Sequence, residues 1–341
     1  MNVSRRRTSQ WTPGPIRTVS IAGTGSCLPH RVLSNADLEK MVDTTDDWIT
    51  SRTGIRERRI AGSGELTSDM GAEAARRALA DAKIAAARLD VIICATITPD
   101  MPFPSTACVI QAKIGASRAM CFDVEAACSG FIYALEVGKQ FVMTSSYEHV
   151  LVVAAEKLSS IIDWKDRNTC VLFGDGAGAV LLQHTAGSQG IMTSSIGSDG
   201  TRGELLCMPG GGCRHPASVE SVQGRLHYLK MSGKEVFKQA IVSMQRAAEE
   251  ALHRCQLRVE DLACVIPHQA NMRIIQGLAE RMKVHTDKFY INMHRYGNMS
   301  AASAAVALDE GAREGRFQRG DHILLIAFGA GLTWGATVIQ W

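Results

Sequence analysis

The sequence predicts an α/β fold of layered type assembled from two similar halves, and three observations carry that prediction. First, a series of short, apolar, often β-branched segments lacks the strict alternation of a half-wet sheet, which is the pattern of strands buried on both faces. They fall at residues 19–22, 91–95, 150–154, 170–172, 179–182, 263–266, 323–327 and 336–339. Second, amphipathic helices lie between them. Residues 68–82 put Met70, Ala74, Ala78 and Leu79 on one side, and residues 234–255 repeat apolar positions from Val236 to Leu252 at three-four spacing. Third, the chain echoes itself: Leu79, Ile84, Leu89, Ile92 and Ile93 recur as Leu252, Leu257, Leu262, Val265 and Ile266, always 173 residues on. A second echo joins Phe173-Gly174 to Phe328-Gly329, each read as following a strand and leading through glycines into another. This places halves at 16–185 and 186–341. The alternative is that helix-to-strand units resemble one another by chance.

Composition agrees and excludes several classes. The 341 residues are 46% hydrophobic, ample for a real core, and the formal charge of +3 is far from the basic balance of a dedicated nucleic-acid binder. No apolar run reaches the roughly 18 residues that span a bilayer. Ten cysteines with no CxxC pair fit free thiols in a reducing cytoplasm, without a metal site. Residues 1–15 carry Arg5, Arg6 and Arg7, but Thr8-Ser9-Gln10 is no apolar signal core. They read as a disordered tail or a weak contact for an anionic surface.

Two glycine motifs fail as nucleotide sites. After Gly23-Thr24-Gly25 the sixth position of the dinucleotide fingerprint is Leu28, followed by Pro29. Gly174-Asp175-Gly176-Ala177-Gly178 leads into a strand, with no helix N-terminus for a pyrophosphate. Close backbone packing is the better use for these glycines.

Chemistry concentrates elsewhere. In Phe122-Asp123-Val124-Glu125-Ala126-Ala127-Cys128-Ser129-Gly130-Phe131 a cysteine stands where a long helical pattern begins. Orphan N–H groups and the helix dipole there favour a thiolate, hence a nucleophile. The bland alternative is a small buried apolar residue. Pro267-His268-Gln269-Ala270-Asn271 follows a buried strand directly, with Arg273 two residues on. Polar groups at a strand's carboxyl end are where open α/β sheets place their sites. Asn292 and Tyr296-Gly297-Asn298-Met299-Ser300-Ala301-Ala302 form a second cluster. His268 could equally be a satisfied structural histidine, and Asn298 a helix cap.

The order of these motifs resembles the β-ketoacyl-acyl carrier protein synthase III family, the initiating condensing enzymes of bacterial fatty-acid synthesis in the thiolase-like superfamily. The resemblance runs from about Val19 to the C-terminus. It rests also on Trp48-Ile49-x-x-Arg52-Thr53-Gly54-Ile55-x-Glu57-Arg58 and Phe328-Gly329-Ala330-Gly331-x-Thr333-Trp334-Gly335. It implies a thiolase-like five-layered αβαβα fold of two similar halves. It also implies an acyltransferase with a Cys-His-Asn set, on which Cys128, His268 and Asn298 fall. Elongating synthases use two histidines instead, and degradative thiolases carry a second cysteine that 328–331 lacks. The chain is therefore expected to be decarboxylating.

The resemblance further implies two half-reactions. An acyl-CoA, most simply acetyl-CoA, acylates Cys128, with the backbone N–H groups of Cys128 and Ala330 as oxyanion donors. Malonyl-acyl carrier protein is then decarboxylated and condensed to 3-oxoacyl-carrier protein. Acyl-CoA is a substrate, and no cofactor is expected. Trp48 and Arg167 resemble an adenine sandwich, Arg52 and Arg273 anion contacts, and Asn271 a pantetheine contact, while Lys234 stands where some relatives have Asn. Lys238, Arg273, Arg281 and Lys283 are candidates for an acidic carrier's docking rim. Phe103, between Pro102 and Pro104, resembles the aromatic that each subunit of a homodimer inserts into its partner's acyl pocket. Starter length is not readable from the loop at 203–217. A specialised condensing relative and a noncatalytic acyl-binding scaffold are the rival readings, the second disfavoured by the intact set.

Overall fold

A computed structural model of the chain describes residues 16–187 and 189–341, so the tail expected at 1–15 lies outside the described residues. A five-stranded sheet runs in the order Thr18–Cys27, Asp175–Thr185, His149–Lys157, Val91–Ala95, Met120–Val124. A four-stranded sheet runs in the order Gly190–Ser198, Thr333–Gln340, His322–Gly329, Leu262–Pro267. Taken outward from their first strands, the two sheets repeat one pattern: antiparallel, antiparallel, parallel. The counterpart of the outer strand Met120–Val124 is reduced to one parallel bridge, Val265 to Phe289, beside Leu262–Pro267.

The layers follow from how the strands sort their side chains. In Val91–Ala95 the odd positions Val91, Ile93 and Ala95 face one core and the even positions Ile92 and Cys94 another. Both sets are apolar because both sheet faces are covered, which is why the segment reads as a continuous run. The inner core packs Val150, Val152 and Ala154 of one sheet and Ile323 and Leu325 of the other around the helices Gly130–Met143 and Ala302–Arg313. Outside the first sheet lie Thr67–Ala82 and Thr106–Ile114, and outside the second Gly233–Arg254 and Met272–Met282. The result is helix, sheet, helix, sheet, helix.

The duplication reaches further than the apolar echo. Ala127 and Ser300 both hold left-handed backbone, φ +46° and +47°, just ahead of the two central helices, and they too are 173 residues apart. Glycines in Thr18–Cys27 work as anticipated, but against a helix. A Cβ on Gly23 or Gly25 would stand 2.5 Å from the carbonyl oxygens of Ala78 or Ala74, so the Thr67–Ala82 helix lies directly on the strand.

Two expectations need correction. Residues 170–172 are no strand: Asp166 caps a short helix, Arg167–Cys170, by accepting from the Asn168 N–H, and a turn follows. The local polar cap overrides the apolar run, so Phe173-Gly174 follows a turn, whereas Phe328-Gly329 ends the strand His322–Gly329. Met120–Val124 and Gly190–Ser198 are strands that the residue pattern concealed. The second is an edge strand rich in serine and glycine, and its apolar content is too thin to register.

Candidate active site

The strand Met120–Val124 delivers the chain to a tight turn, Ala127–Ser129, from which the helix Gly130–Met143 departs. Cys128 sits in that turn, with the Ser129 N–H donating to the Ala126 carbonyl at 3.1 Å. The second half clamps it. Thr333 Oγ1 stands 2.9 Å from both the Ala126 and Ala330 carbonyl oxygens. Gly329 lies so close that a Cβ there would fall 2.6 Å from the Cys128 nitrogen. Its missing side chain keeps the space over that N–H open.

His268 follows the strand Leu262–Pro267 and is anchored by its own N–H, which donates to the Ile326 carbonyl at 2.7 Å. The fully buried Gln269 fixes the loop. Its Nε2 donates to the Pro267 and Tyr290 carbonyls, and its Oε1 accepts from the Asn292 and Met293 N–H groups. The imidazole is buried and its Nδ1 has no partner. Loss of hydration pushes its pKa down to about 4, so the ring is neutral at physiological pH.

Asn298 is held by the first half: its N–H donates to the Leu172 carbonyl, and its carbonyl accepts from the Gly174 N–H. Its side-chain Oδ1 accepts from the Ser300 N–H at 2.8 Å, which leaves the Nδ2 donors for the cavity. It does not cap the following helix, whose first turn has no side-chain cap. Cys128, His268 and Asn298 line one cavity of about 830 Å³, together with Trp48, Arg52, Asn271 and Arg273.

The electrostatics of the thiol differ from the sequence expectation. Burial pushes Cys128 up to about 12, and the nearby Glu156 carboxylate adds to the rise. On balance Cys128 is raised where the sequence led to a lowered thiol. It lies in a tighter turn ahead of the helix proper, and desolvation outweighs the donors around it. Unliganded, it is a thiol.

Sequence reasoning missed two members of this neighbourhood. Glu156 ends the apolar run of His149–Lys157 and is wholly buried, its Oε2 accepting from Thr98 Oγ1, Thr96 Oγ1 and the Ile97 N–H. Desolvation raises it to about 7. Ser300 Oγ is close enough to Cys128 and to Glu156 to lower the pKa of both, yet it makes a well-formed hydrogen bond to neither, and Glu156 Oε1 is also unpartnered. A lone carboxylate after Val150-Leu151-Val152-Val153-Ala154-Ala155 was the available signal.

The remaining candidates sort by position. The Arg52 and Arg167 guanidinium carbons lie 4.6 and 4.5 Å from the Trp48 ring centroid, so both cations occupy the indole. Asn271 caps the helix Met272–Met282 through the Arg273 N–H. Lys234 and Lys238 line the cavity with Arg273, whereas Arg281 and Lys283 do not and stand at the far end of that helix. Ala330 flanks Gly329 without lining the cavity. Phe103 is 83% exposed. Among the described residues there is no His/Cys/Asp/Glu cluster that could hold a metal, and no helix long and apolar enough to cross a membrane. All ten cysteines are free.

A two-sheet sandwich around paired central helices, with a cysteine on one helix turn facing a histidine and an asparagine from the other half, defines a thiolase-fold condensing enzyme. Comparison with known proteins narrows the class. Residues 122–200 match the family model for 3-oxoacyl-[acyl-carrier-protein (ACP)] synthase III, and residues 252–341 match its C-terminal model. The chain is 57% identical to the β-ketoacyl-[acyl-carrier-protein] synthase III of Caldanaerobacter subterraneus subsp. tengcongensis over 94% of its own length and 97% of the relative's. The crystal structure of 3-oxoacyl-[acyl-carrier-protein] synthase III from Aquifex aeolicus VF5 superposes with a TM-score of 0.88 at 46% identity, covering 95% of this chain and 100% of that one. The priming β-ketosynthase of the R1128 polyketide biosynthetic pathway superposes with a TM-score of 0.90 at 37% identity, covering 97% and 98%. The chain belongs to the β-ketoacyl-acyl carrier protein synthase III family and is an acyltransferase.

Proposed function

We propose that Cys128 carries the acyl group and that His268 and Asn298 drive decarboxylation, a reading supported above all by the three side chains lining one cavity. In the first half-reaction Cys128 attacks an acyl-CoA, most simply acetyl-CoA. The N–H groups of Cys128 and Ala330 receive the tetrahedral oxygen, and CoA departs past Trp48, Arg52 and Arg273. Arg167 has to part from the indole if adenine is to stack there, since it now lies on the ring.

In the second half-reaction malonyl-carrier protein loses carbon dioxide. The negative charge gathers on the thioester oxygen of the enolate. The neutral His268 carries its proton on Nε2 and donates alongside Asn298 Nδ2 without formal proton transfer. The enolate carbon attacks the acyl-cysteine and releases the 3-oxoacyl product. No cofactor is required, because CoA arrives as part of a substrate. The working protein is a cytoplasmic homodimer in which each Phe103 enters the partner's acyl pocket, in keeping with its exposure.

Mass spectrometry after incubation with acetyl-CoA tests the assignment. Wild type gains about 42 Da at Cys128, an acetyl replacing a hydrogen, and Cys128→Ser gains nothing. Labelling elsewhere overturns it. Likeness to a priming polyketide ketosynthase gives a second reading, a condensing enzyme with a non-acetyl starter in a specialised pathway. Initial rates over a panel of acyl-CoAs, followed by carbon dioxide release from malonyl-carrier protein, separate the two.

A further inference from the structure

We propose that Glu156, acting through Ser300, holds the proton of Cys128 while that cysteine carries an acyl group. The inference rests on Cys128 as the nucleophile and adds a positioning residue that the Cys-His-Asn set leaves out. Three observations lead to it. Glu156 and Ser300 are 0% and 1% exposed, too deep to meet solvent or substrate. Ser300 Oγ is near enough to the Cys128 sulfur and to the Glu156 carboxylate to influence both. Finally, Ser300 Oγ and Glu156 Oε1 are both left without a well-formed partner, in a protein whose other Glu156 oxygen collects three donors. Two buried polar atoms left unpaired beside a buried thiol are costly, and a catalytic role is one reason such a cost persists.

The relay balances. Neither bond of the relay is formed at rest: to run it, Ser300 turns so that Cys128 S–H donates to its Oγ and its O–H donates to the Glu156 carboxylate. On activation the S–H bond breaks as a new Ser300 O–H forms, and the old Ser300 O–H breaks as a Glu156 O–H forms. One negative charge moves from carboxylate to sulfur, and the buried site keeps the same net charge throughout. The thiolate then attacks the acyl-CoA carbonyl. The departing CoA thiolate takes its proton from solvent, and Glu156 stays protonated during the life of the acyl-enzyme. When the enolate displaces the Cys128 thiolate, the proton returns through Ser300. One solvent proton is consumed per turnover, as the conversion of acyl-CoA and malonyl-carrier protein to 3-oxoacyl-carrier protein, carbon dioxide and CoA requires.

The surroundings suit a proton store. The titratable groups facing Glu156 are Cys128, across Ser300, and Cys94 on the neighbouring strand, which burial and the carboxylates of Asp123, Glu156 and Asp100 keep a thiol. The other contacts of Glu156 are the Thr96 and Thr98 hydroxyls and the Ile97 N–H, which lower its pKa against the larger effect of burial. His268, held near 4, is a weaker base than a carboxylate held near 7.

Rapid-quench acetylation of Cys128, read by mass across pH 5.5–9.5, tests the relay on the full-length enzyme. Wild-type acylation rises with pH through the neutral range and then levels off, because ionised Glu156 is the acceptor. Glu156→Gln loses the plateau, gains about tenfold per pH unit into the alkaline range, and is slower by about 10²-fold at neutral pH. Ser300→Ala, which deletes one oxygen, reproduces that profile, the double variant is no slower than either single, and Glu156→Asp regains part of the plateau. If Glu156 were merely a repelling charge, Glu156→Gln would acylate faster; a faster rate, an unchanged profile, or losses that multiply in the double variant overturns the relay. Absence of acetyl on Cys128 in wild type instead overturns the nucleophile assignment beneath it.

Discussion

Gly329 of the second half presses on Cys128 of the first: a Cβ at 329 would lie 2.6 Å from the Cys128 nitrogen and 3.1 Å from its Cβ. That contact joins the two halves at the wall of the cavity. Backbone on both sides constrains the space, so no side-chain rotation relieves an added methyl. Gly329→Ala should displace the nucleophile turn and cut Cys128 acetylation by about 10²-fold, as loss of one oxyanion donor does. Folded content, checked by circular dichroism, should persist. Normal acetylation in the alanine variant would show that the N–H over this glycine does no oxyanion work.

The proposed division of labour between the two half-reactions predicts a split phenotype. His268→Ala and Asn298→Ala should still acquire acetyl on Cys128 but release carbon dioxide from malonyl-carrier protein some 10²–10³-fold more slowly. Because burial holds His268 near 4, the decarboxylation step should show no histidine limb between pH 5.5 and 8. Isotopic carbon dioxide release measures it directly. A rising limb near pH 6.5 would mean that the ring is far less desolvated than its position indicates.

What could be read beforehand and what could not divide along physical lines. The paired-sheet architecture was legible because strands covered on both faces, such as Val91–Ala95, must be apolar at every position. That Cys128, His268 and Asn298 belong to one cavity was legible through the motifs around them, but their environment was not. The thiol's upward shift depends on how completely tertiary packing removes water, which adjacent residues do not encode. The same holds for Glu156 and Ser300, whose relationship exists across 144 residue positions and two halves of the fold. The strand expected at 170–172 failed for the opposite reason, since one aspartate cap outweighed three apolar residues.

Arg58 shows how a polar residue can hold the site's framework. Fully buried, it donates to the Leu33 and Val171 carbonyls and to Asn35 Oδ1. The Val171 bond fixes the segment whose Leu172 and Gly174 in turn hold Asn298. Arg58→Ala should leave three buried acceptors unpaired and a cavity behind, destabilising the fold by roughly 3–5 kcal/mol in urea unfolding. Arg58→Lys should recover little, because one ammonium cannot span those directions. A loss under 1 kcal/mol would mean that water enters and replaces the guanidinium.

The cations around the cavity should matter unequally for an acidic carrier. Lys238 and Arg273 line the cavity, while Arg281 is at the other end of its helix and donates to Gln245. Charge reversal at Lys238 or Arg273 should raise KM for malonyl-carrier protein by about tenfold at low salt, with the deficit shrinking as salt screens the contact. Arg281→Glu should change it less than threefold. Equal effects at all three would indicate a diffuse field in place of a docking rim.

Two buried groups of opposite response set the acid side of the stability profile. His268 falls from 6.5 to about 4 on folding, so its contribution is present above 6.5 and lost as pH drops toward 4. Glu156 rises from 4.5 to about 7, so its contribution is full below 4.5 and lost as pH climbs through 7. Each is on the order of 3 kcal/mol, and between pH 4.5 and 6.5 they pull against each other. Wild-type Tm should therefore change little over that interval on their account, and single substitutions should unmask the halves. Glu156→Gln should lose stability relative to wild type on acidification from pH 6.5 to 4.5. His268→Gln should lose it relative to wild type as pH rises over the same span. Calorimetry at three pH values decides the matter, and two variants with parallel profiles would show that one of these groups is hydrated in the folded enzyme.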